Sequence, residues 1–283
     1  LSFIIAIFTG KLFSTIVFIS LIVILKLESP SILIIIFSGD DICAPIEYGK
    51  PAPITPNEPD EIILLPLYPQ YSAATSGSSI KEWHEVCEKN NYKTKTSTIC
   101  CYPTDDLFIK SHVGEIKKKI KDLKNFKLIF SAHGLPEKNI KKGDPYQWQV
   151  EQSVNKIVEK LEFENLDWIL SYQSRVGPLK WIGPSTEDII IENSKLGKKI
   201  VLVPIAFVSE HSETLVELDI EYKELADKNG CIEYSRVPAL GTNIDFINSL
   251  ASIVINKEKN KLTEKLYPPK IQCPNKFVKC PCT

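Results

Sequence analysis

The sequence predicts an α/β protein built on parallel sheets, and three observations predict it. Short apolar runs such as FKLIFS (126–131) and KIVLVPIAF (199–207) alternate with amphipathic stretches long enough to be helices. Strands alternating with helices of that length imply βαβ crossovers, and crossovers imply parallel neighbours. The chain of 283 residues is 43% apolar and 24% charged, the balance of a globular protein with a real core, and its length suggests about two domains of ordinary size. Its 34 basic and 35 acidic side chains nearly cancel, so no global field points to nucleic acid or anionic lipid.

Taken in order, residues 1–38 stand apart. LSFIIAIFTGKLFSTIVFISLIVILK is apolar but broken by Lys11, and its uninterrupted run Leu12–Leu25 covers 14 residues, short of the roughly 20 that span a bilayer. Three readings fit: a membrane anchor helped by residues 1–10, a pair of buried strands, or out-of-frame sequence. Methionine is absent even at position 1, so the numbered chain is expected not to begin at a natural start. Residues 44–60, APIEYGKPAPITPNEPD, are proline-rich and read as linker. The whole of 1–60 is thus an atypical hydrophobic head and linker.

Residues 61–123 give a strand (61–66), a helix (81–90), a strand (95–100) and a lysine-rich helix (108–123), the remainder of an α/β half whose beginning is missing. The second half, 124–240, has strands at 126–131, 167–172, 199–207 and 231–237. Its helices fall at about 146–162, 186–196 and 213–229, so it reads as a four-stranded doubly wound unit. In GDPY, Asp144 is the expected N-cap and Pro145 the first helical residue. A C-terminal helix (243–255) and linker occupy 241–270, and a cysteine-containing tail occupies 271–283.

Ligands of open α/β sheets bind beyond the carboxyl ends of the strands. That rule selects SAHGLPEKNIKKGDPY, SYQSRVGPLKWIGP and FVSEHSETLVELDIEY, which hold His133, Gln173, Arg175, Trp181, His211 and Glu213. His133 follows an apolar strand, and its neighbours Ala132 and Gly134 leave room around it. An imidazole there binds a metal or takes up a proton; the plainer reading is a loop histidine bonded to backbone. Glu213, Glu217 and Glu221 recur every four residues, on one helix face. A solvated face is the plain alternative. Like charges at that spacing destabilise by about 0.2–0.5 kcal/mol per pair, so the row also reads as a path for protons or metal into a cleft. Tyr68 and Trp181 lie in Pro/Gly-rich loops, as core residues or as ligand platforms. Dinucleotide, phosphate-loop and nucleophile-elbow patterns are absent. The eight cysteines read as reduced thiols in a cytosolic compartment, because a chain this long needs no disulfides and shows no secretory cleavage site.

LPLYPQYSAATSGSS, SAHGLPEKNIKKGDPY, SYQSRVGPLKWIGPSTED and VPIAFVSEHSETLVELDIEY together resemble ferrochelatases of the proteobacterial and mitochondrial type, over about residues 61–250. The resemblance implies an enzyme, a lyase that inserts ferrous iron into protoporphyrin IX at the last step of haem synthesis. It implies a fold of two Rossmann-like halves with parallel four-stranded sheets, the first half incomplete here. The metal-binding, proton-abstracting histidine falls on His133 and its carboxylate partner on Glu213. The second histidine falls on His211, and the proton or metal path runs on through Glu217 and Glu221. Porphyrin contacts are expected from Trp181, Tyr68, Gln173 and Arg175. Iron(II) is then a substrate, and the partners are protoporphyrin IX and ferrous iron, with no nucleic acid. The expected location is cytoplasmic, with peripheral membrane contact through an apolar product; the oligomeric state is left open.

The family's NLGGP segment is absent, and EYGKP carries Glu47 where an arginine is expected. A non-catalytic porphyrin- or haem-binding remnant and a coproporphyrin ferrochelatase are therefore the alternatives. Some members bind a 2Fe-2S cluster through C-terminal cysteines, and Cys273, Cys280 and Cys282 resemble that tail, with a disordered tail as the alternative. A cluster takes four ligands. Ala73 stands where the mitochondrial form has its fourth cysteine, which leaves another, Cys231, to serve.

Overall fold

The computed structural model describes residues 4–7, 21–24, 32–37, 61–93, 95–121, 124–259, 266–267 and 272–282. The linker expected at 44–60, with Glu47, lies outside them. The backbone divides into two units, one of 1–101 with 253–283 and one of 102–252.

The first unit is built on a sheet ordered β1 (Ile4–Ile7), β2 (Leu21–Ile24), β3 (Ile32–Phe37), β4 (Glu61–Pro66), β5 (Lys95–Ile99), β10 (Leu266–Tyr267). β1 and β2 pair antiparallel, as do β2 and β3; β3, β4, β5 and β10 run parallel. Of the three readings of the apolar head, its described backbone is strand, and no helix among the described residues is long and apolar enough to cross a membrane. All six residues of β4 are buried, as a parallel strand covered on both faces requires. Helix α1 (Ser76–Lys89) lays Ile80, Trp83 and Cys87, spaced for one helix face, against Ile62 and Leu64.

The second unit is a parallel sheet ordered β7 (Trp168–Gln173), β6 (Phe126–His133), β8 (Lys199–Pro204), β9 (Glu233–Arg236). On one face, Ile189 and Ile190 of α5 (Thr186–Lys195) and Leu218, Tyr222 and Ala226 pack on Ile129, Ile200 and Leu202. α2 (Asp106–Ile120) and α4 (Tyr146–Leu161), the latter preceded by the short α3 (Glu137–Lys141), pack together, and α4 faces Trp168, Leu170 and Tyr172 of β7. α4 begins one residue later than its sequence implies: Pro145 is the cap position, and Asp144 Oδ1 accepts the Tyr146 N–H at 3.0 Å. The cap chemistry is the expected one, shifted by a residue.

The larger departure is at 213–229. In place of one α-helix, Glu213–Glu221 is a π-helix, continued by α6 (Tyr222–Lys228). Helix propensity carries no signal for the extra residue per turn; bonds to groups outside the helix hold it. π geometry is rare and is frequent at functional sites.

Candidate active site

His133 is the last residue of β6, where the sheet opens to its loops. Two bonds fix it. The Tyr146 hydroxyl donates to its carbonyl at 3.0 Å, and its own Nδ1 lies 2.6 Å from the carbonyl of Gly134. A carbonyl only accepts, so Nδ1 carries a proton, and in the neutral ring Nε2 presents a lone pair. That lone pair faces Glu213 Oε1 at 3.8 Å. Two acceptors face one another across a gap too long for a hydrogen bond. Two bonds of about 2.0–2.2 Å to a first-row divalent metal would span it. Both side chains are partly exposed, so the gap is accessible.

The remaining site residues follow from loop packing. The loops after β6 and β7 are zipped together by Glu137 N–H to the Lys180 carbonyl (2.8 Å) and Ile182 N–H to the Leu135 carbonyl (3.0 Å). This sets Trp181 over Gly134, where a Cβ would meet the Gln173 carbonyl at 2.9 Å, Trp181 Cε3 at 3.1 Å and Arg175 Cγ at 3.2 Å. Glycine is needed there for that close approach. Trp181 donates Nε1–H to the Val176 carbonyl, and Arg175 is exposed. His211 is half-buried against Phe207, ring centroids 4.6 Å apart, and its Nδ1 accepts the Glu213 N–H at 3.2 Å. Burial pushes its pKa down, against the opposing pull of Glu213 and Glu210.

Two expectations change. Gln173 was expected to contact porphyrin, but it is 1% exposed. Its Oε1 accepts from Ser131 (2.7 Å) and its Nε2 donates to Glu217 (3.2 Å), so the amide braces the site from beneath. Glu217 accepts further bonds from Ser174 N–H (2.8 Å), Ser174 Oγ (2.6 Å) and Tyr222 Oη (2.9 Å). Of the glutamate row, Glu213 faces the histidine, Glu217 is anchored, and Glu221 is exposed. Tyr68 belongs to the first unit. Sequence reasoning missed Tyr146, Ser174 and Tyr222, which are ordinary residues until folding aims their donors.

A second cluster lies in the first unit. The Sγ atoms of Cys100, just past β5, and of Cys280 and Cys282 on the tail lie within 4.8 Å of one another. Cys101 Sγ is 3.6 Å from that of Cys100. Hydrogen bonds from Cys100, Cys273 and Cys282 hold the Cys280 thiol far below its ordinary range. Cys100 is pushed up by its bonds with Cys101 and Cys280, and Cys282 by those with Cys100 and Cys280. The group thus favours one thiolate fed by S–H donors. Cys231 is not part of it: its thiol lies in the second unit, against the carbonyls of Lys198 (3.4 Å) and Glu233 (3.3 Å). Ala73 packs against Tyr71, Cys100 and Cys101 together with Cys282. Position 73 therefore borders the same group, and the cysteine that joins the tail thiols there is Cys100, not Cys231. The rule that selects the His133 loop also selects the Cys100–Cys101 pair, at the carboxyl end of a parallel strand.

Residues 53–258 match the family profile described as Ferrochelatase. Over 224 residues the chain is 80% identical to a ferrochelatase of Pelagibacter ubique (strain HTCC1062), covering 79% of this chain and 65% of that one. Over 249 residues it is 51% identical to a ferrochelatase of Rickettsia typhi, covering 87% and 68%. The chain thus spans about two thirds of the length of these relatives. Among solved structures, SirB from Bacillus subtilis with Fe3+ superposes with a TM-score of 0.54 at 16% identity, covering 71% of this chain and 73% of that one. That likeness is one of fold.

Proposed function

The chain belongs to the ferrochelatase family, and on that premise we propose that it inserts ferrous iron into protoporphyrin IX, releasing two pyrrole protons. The observation that carries this reading is the 3.8 Å gap between the His133 Nε2 lone pair and the Glu213 carboxylate. One imidazole nitrogen and one carboxylate suit iron(II) and leave most of its coordination sphere open, which favours delivery over storage. The same imidazole can take a pyrrole proton as the metal leaves it. Trp181 and Arg175, held over Gly134, are the porphyrin contacts from this unit. His211 and Glu221 extend the proton or metal path, and Glu217, its oxygens taken by four donors, anchors it. Val176 and Leu179, 73% and 58% exposed in the loop that carries Trp181, support contact with an apolar phase such as a membrane surface.

The test mixes the purified chain anaerobically with ferrous iron and protoporphyrin IX and follows the loss of porphyrin fluorescence. Loss that disappears in His133→Ala is expected. Porphyrin bound without turnover, in the native sequence, would sink the reading.

The cysteine cluster fits an iron–sulfur centre. Its donors are soft and confined, Cys100, Cys273 and Cys280 are buried, and one thiolate is already favoured. Cys100, Cys273, Cys280 and Cys282 would hold a 2Fe-2S cluster, which when bound supplies a one-electron redox centre and a cross-link between β5 and the tail. The protein is expected to show visible sulfur-to-iron absorption with iron and acid-labile sulfide in equal amounts. Cys280→Ser should abolish both and Cys231→Ser neither; zinc in place of iron and sulfide would refute the cluster.

A further inference from the structure

We infer that Arg236, at the end of β9, is a positioning residue that sets the register of the π-helix carrying Glu213 and Glu217; the inference rests on the proposed iron-transfer site. π-helices usually last a single turn, so nine residues of this geometry need restraint from outside. Three consecutive residues receive it. Glu217 is held by Gln173 and Ser174 at the end of β7. The Leu218 carbonyl accepts the Tyr234 hydroxyl at 2.7 Å. Both oxygens of Asp219 accept from Arg236, Nε and Nη2 each at 2.7 Å.

The same guanidinium does more than pin one residue. Its Nη1 donates to Glu210 Oε1 at 3.0 Å, an oxygen that also accepts the Ala239 N–H at 2.9 Å. One rigid side chain, 8% exposed, thereby ties residue 210, just before His211, to residue 219. His211, Glu213 and Glu217 all lie between those two points. A planar fork fixes both distance and angle between its carboxylates, whereas an ammonium is a point charge on a flexible stem. None of these bonds goes to His133 or Glu213, so Arg236 acts through the helix. Without the fork, the segment is free to lose its extra residue per turn, which rotates Glu213 away from His133.

The test compares Arg236→Lys and Arg236→Gln with Tyr234→Phe, which removes a different bond from β9 to the same helix and leaves the carboxylates tied. Both Arg236 variants are expected to lower kcat more than tenfold while the KM for protoporphyrin IX changes less than twofold. Tyr234→Phe is expected to lower the unfolding temperature but keep kcat within about twofold. A Lys variant with full kcat, or losses that follow lost stability across all three variants, would overturn the inference. A second readout separates it from the proposed function: Co2+ titration followed by the part of the visible spectrum that His133→Ala removes. If native protein shows neither turnover nor a His133-dependent Co2+ band, the iron-transfer site itself is wrong, and Arg236 falls with it. If the band is present, Arg236→Gln should weaken Co2+ binding at least fivefold; unchanged binding refutes the positioning role even where turnover is absent.

Discussion

His112 on α2 is 1% exposed, with neither ring nitrogen hydrogen-bonded among the described residues and Phe108 edge-on to its ring at 4.9 Å. Burial lowers its pKa from 6.5 to about 3. The unfolded chain therefore takes up this proton first as pH falls. The stability tied to keeping His112 neutral is complete above about pH 6.5 and is lost on acidification toward pH 3. The loss approaches about 1.4 kcal/mol per pH unit. His112→Leu should flatten the dependence of the unfolding temperature on pH between 7 and 5 relative to the native sequence; identical slopes would show that His112 is solvated. Gly134 makes the second argument at this scale. The Cβ of Gly134→Ala meets backbone at 2.9 Å, so a loop must move. We expect a cost of about 1–3 kcal/mol in denaturant unfolding and loss of His133-dependent turnover.

At the scale of elements, the site depends on how the end of β7 holds the π-helix. Ser131, Ser171 and Thr186 are fully buried and bonded in series, and through Gln173 they reach Glu217. A buried polar chain is stable only when every member is satisfied. Glu217→Gln puts an amide N–H2 group among donors and should cost about 1–3 kcal/mol, with loss of activity. The exposed Glu221→Gln should stay within about 0.5 kcal/mol of the native stability. Equal effects of the two substitutions would mean that the glutamates are a uniform solvated face. The stripe is legible from its spacing; the division between facing, anchored and exposed members is not, because it depends on donors from β7 and α6.

At the scale of the molecule, residues 272–282 lie far along the chain from β5, yet their cysteines gather at its end. Metal or cluster binding that joins distant segments constrains the unfolded chain and orders the tail. Where the proposed cluster is bound, removing it by acid or chelator is expected to expose the tail to limited proteolysis, with early cuts near Lys276 and Lys279. Protease resistance that persists in Cys280→Ser would show that packing alone holds the tail, through groups such as the buried Phe277.

The sequence by itself determined the parallel α/β architecture, because apolar runs and helical spacing are local signals repeated along the chain. The same signals pointed to His133 and Glu213 as candidates, because such sheets leave their ligands beyond the carboxyl ends of their strands, and the fold sets the two side chains 3.8 Å apart. Tertiary structure alone decided that Gln173 turns inward, that the glutamate helix is a π-helix, and that Cys100 rather than Cys231 joins the tail cysteines. Each of these depends on hydrogen bonds or sulfur contacts between residues distant in the chain. Neither periodicity nor residue type encodes such a pairing until the strands have set its geometry.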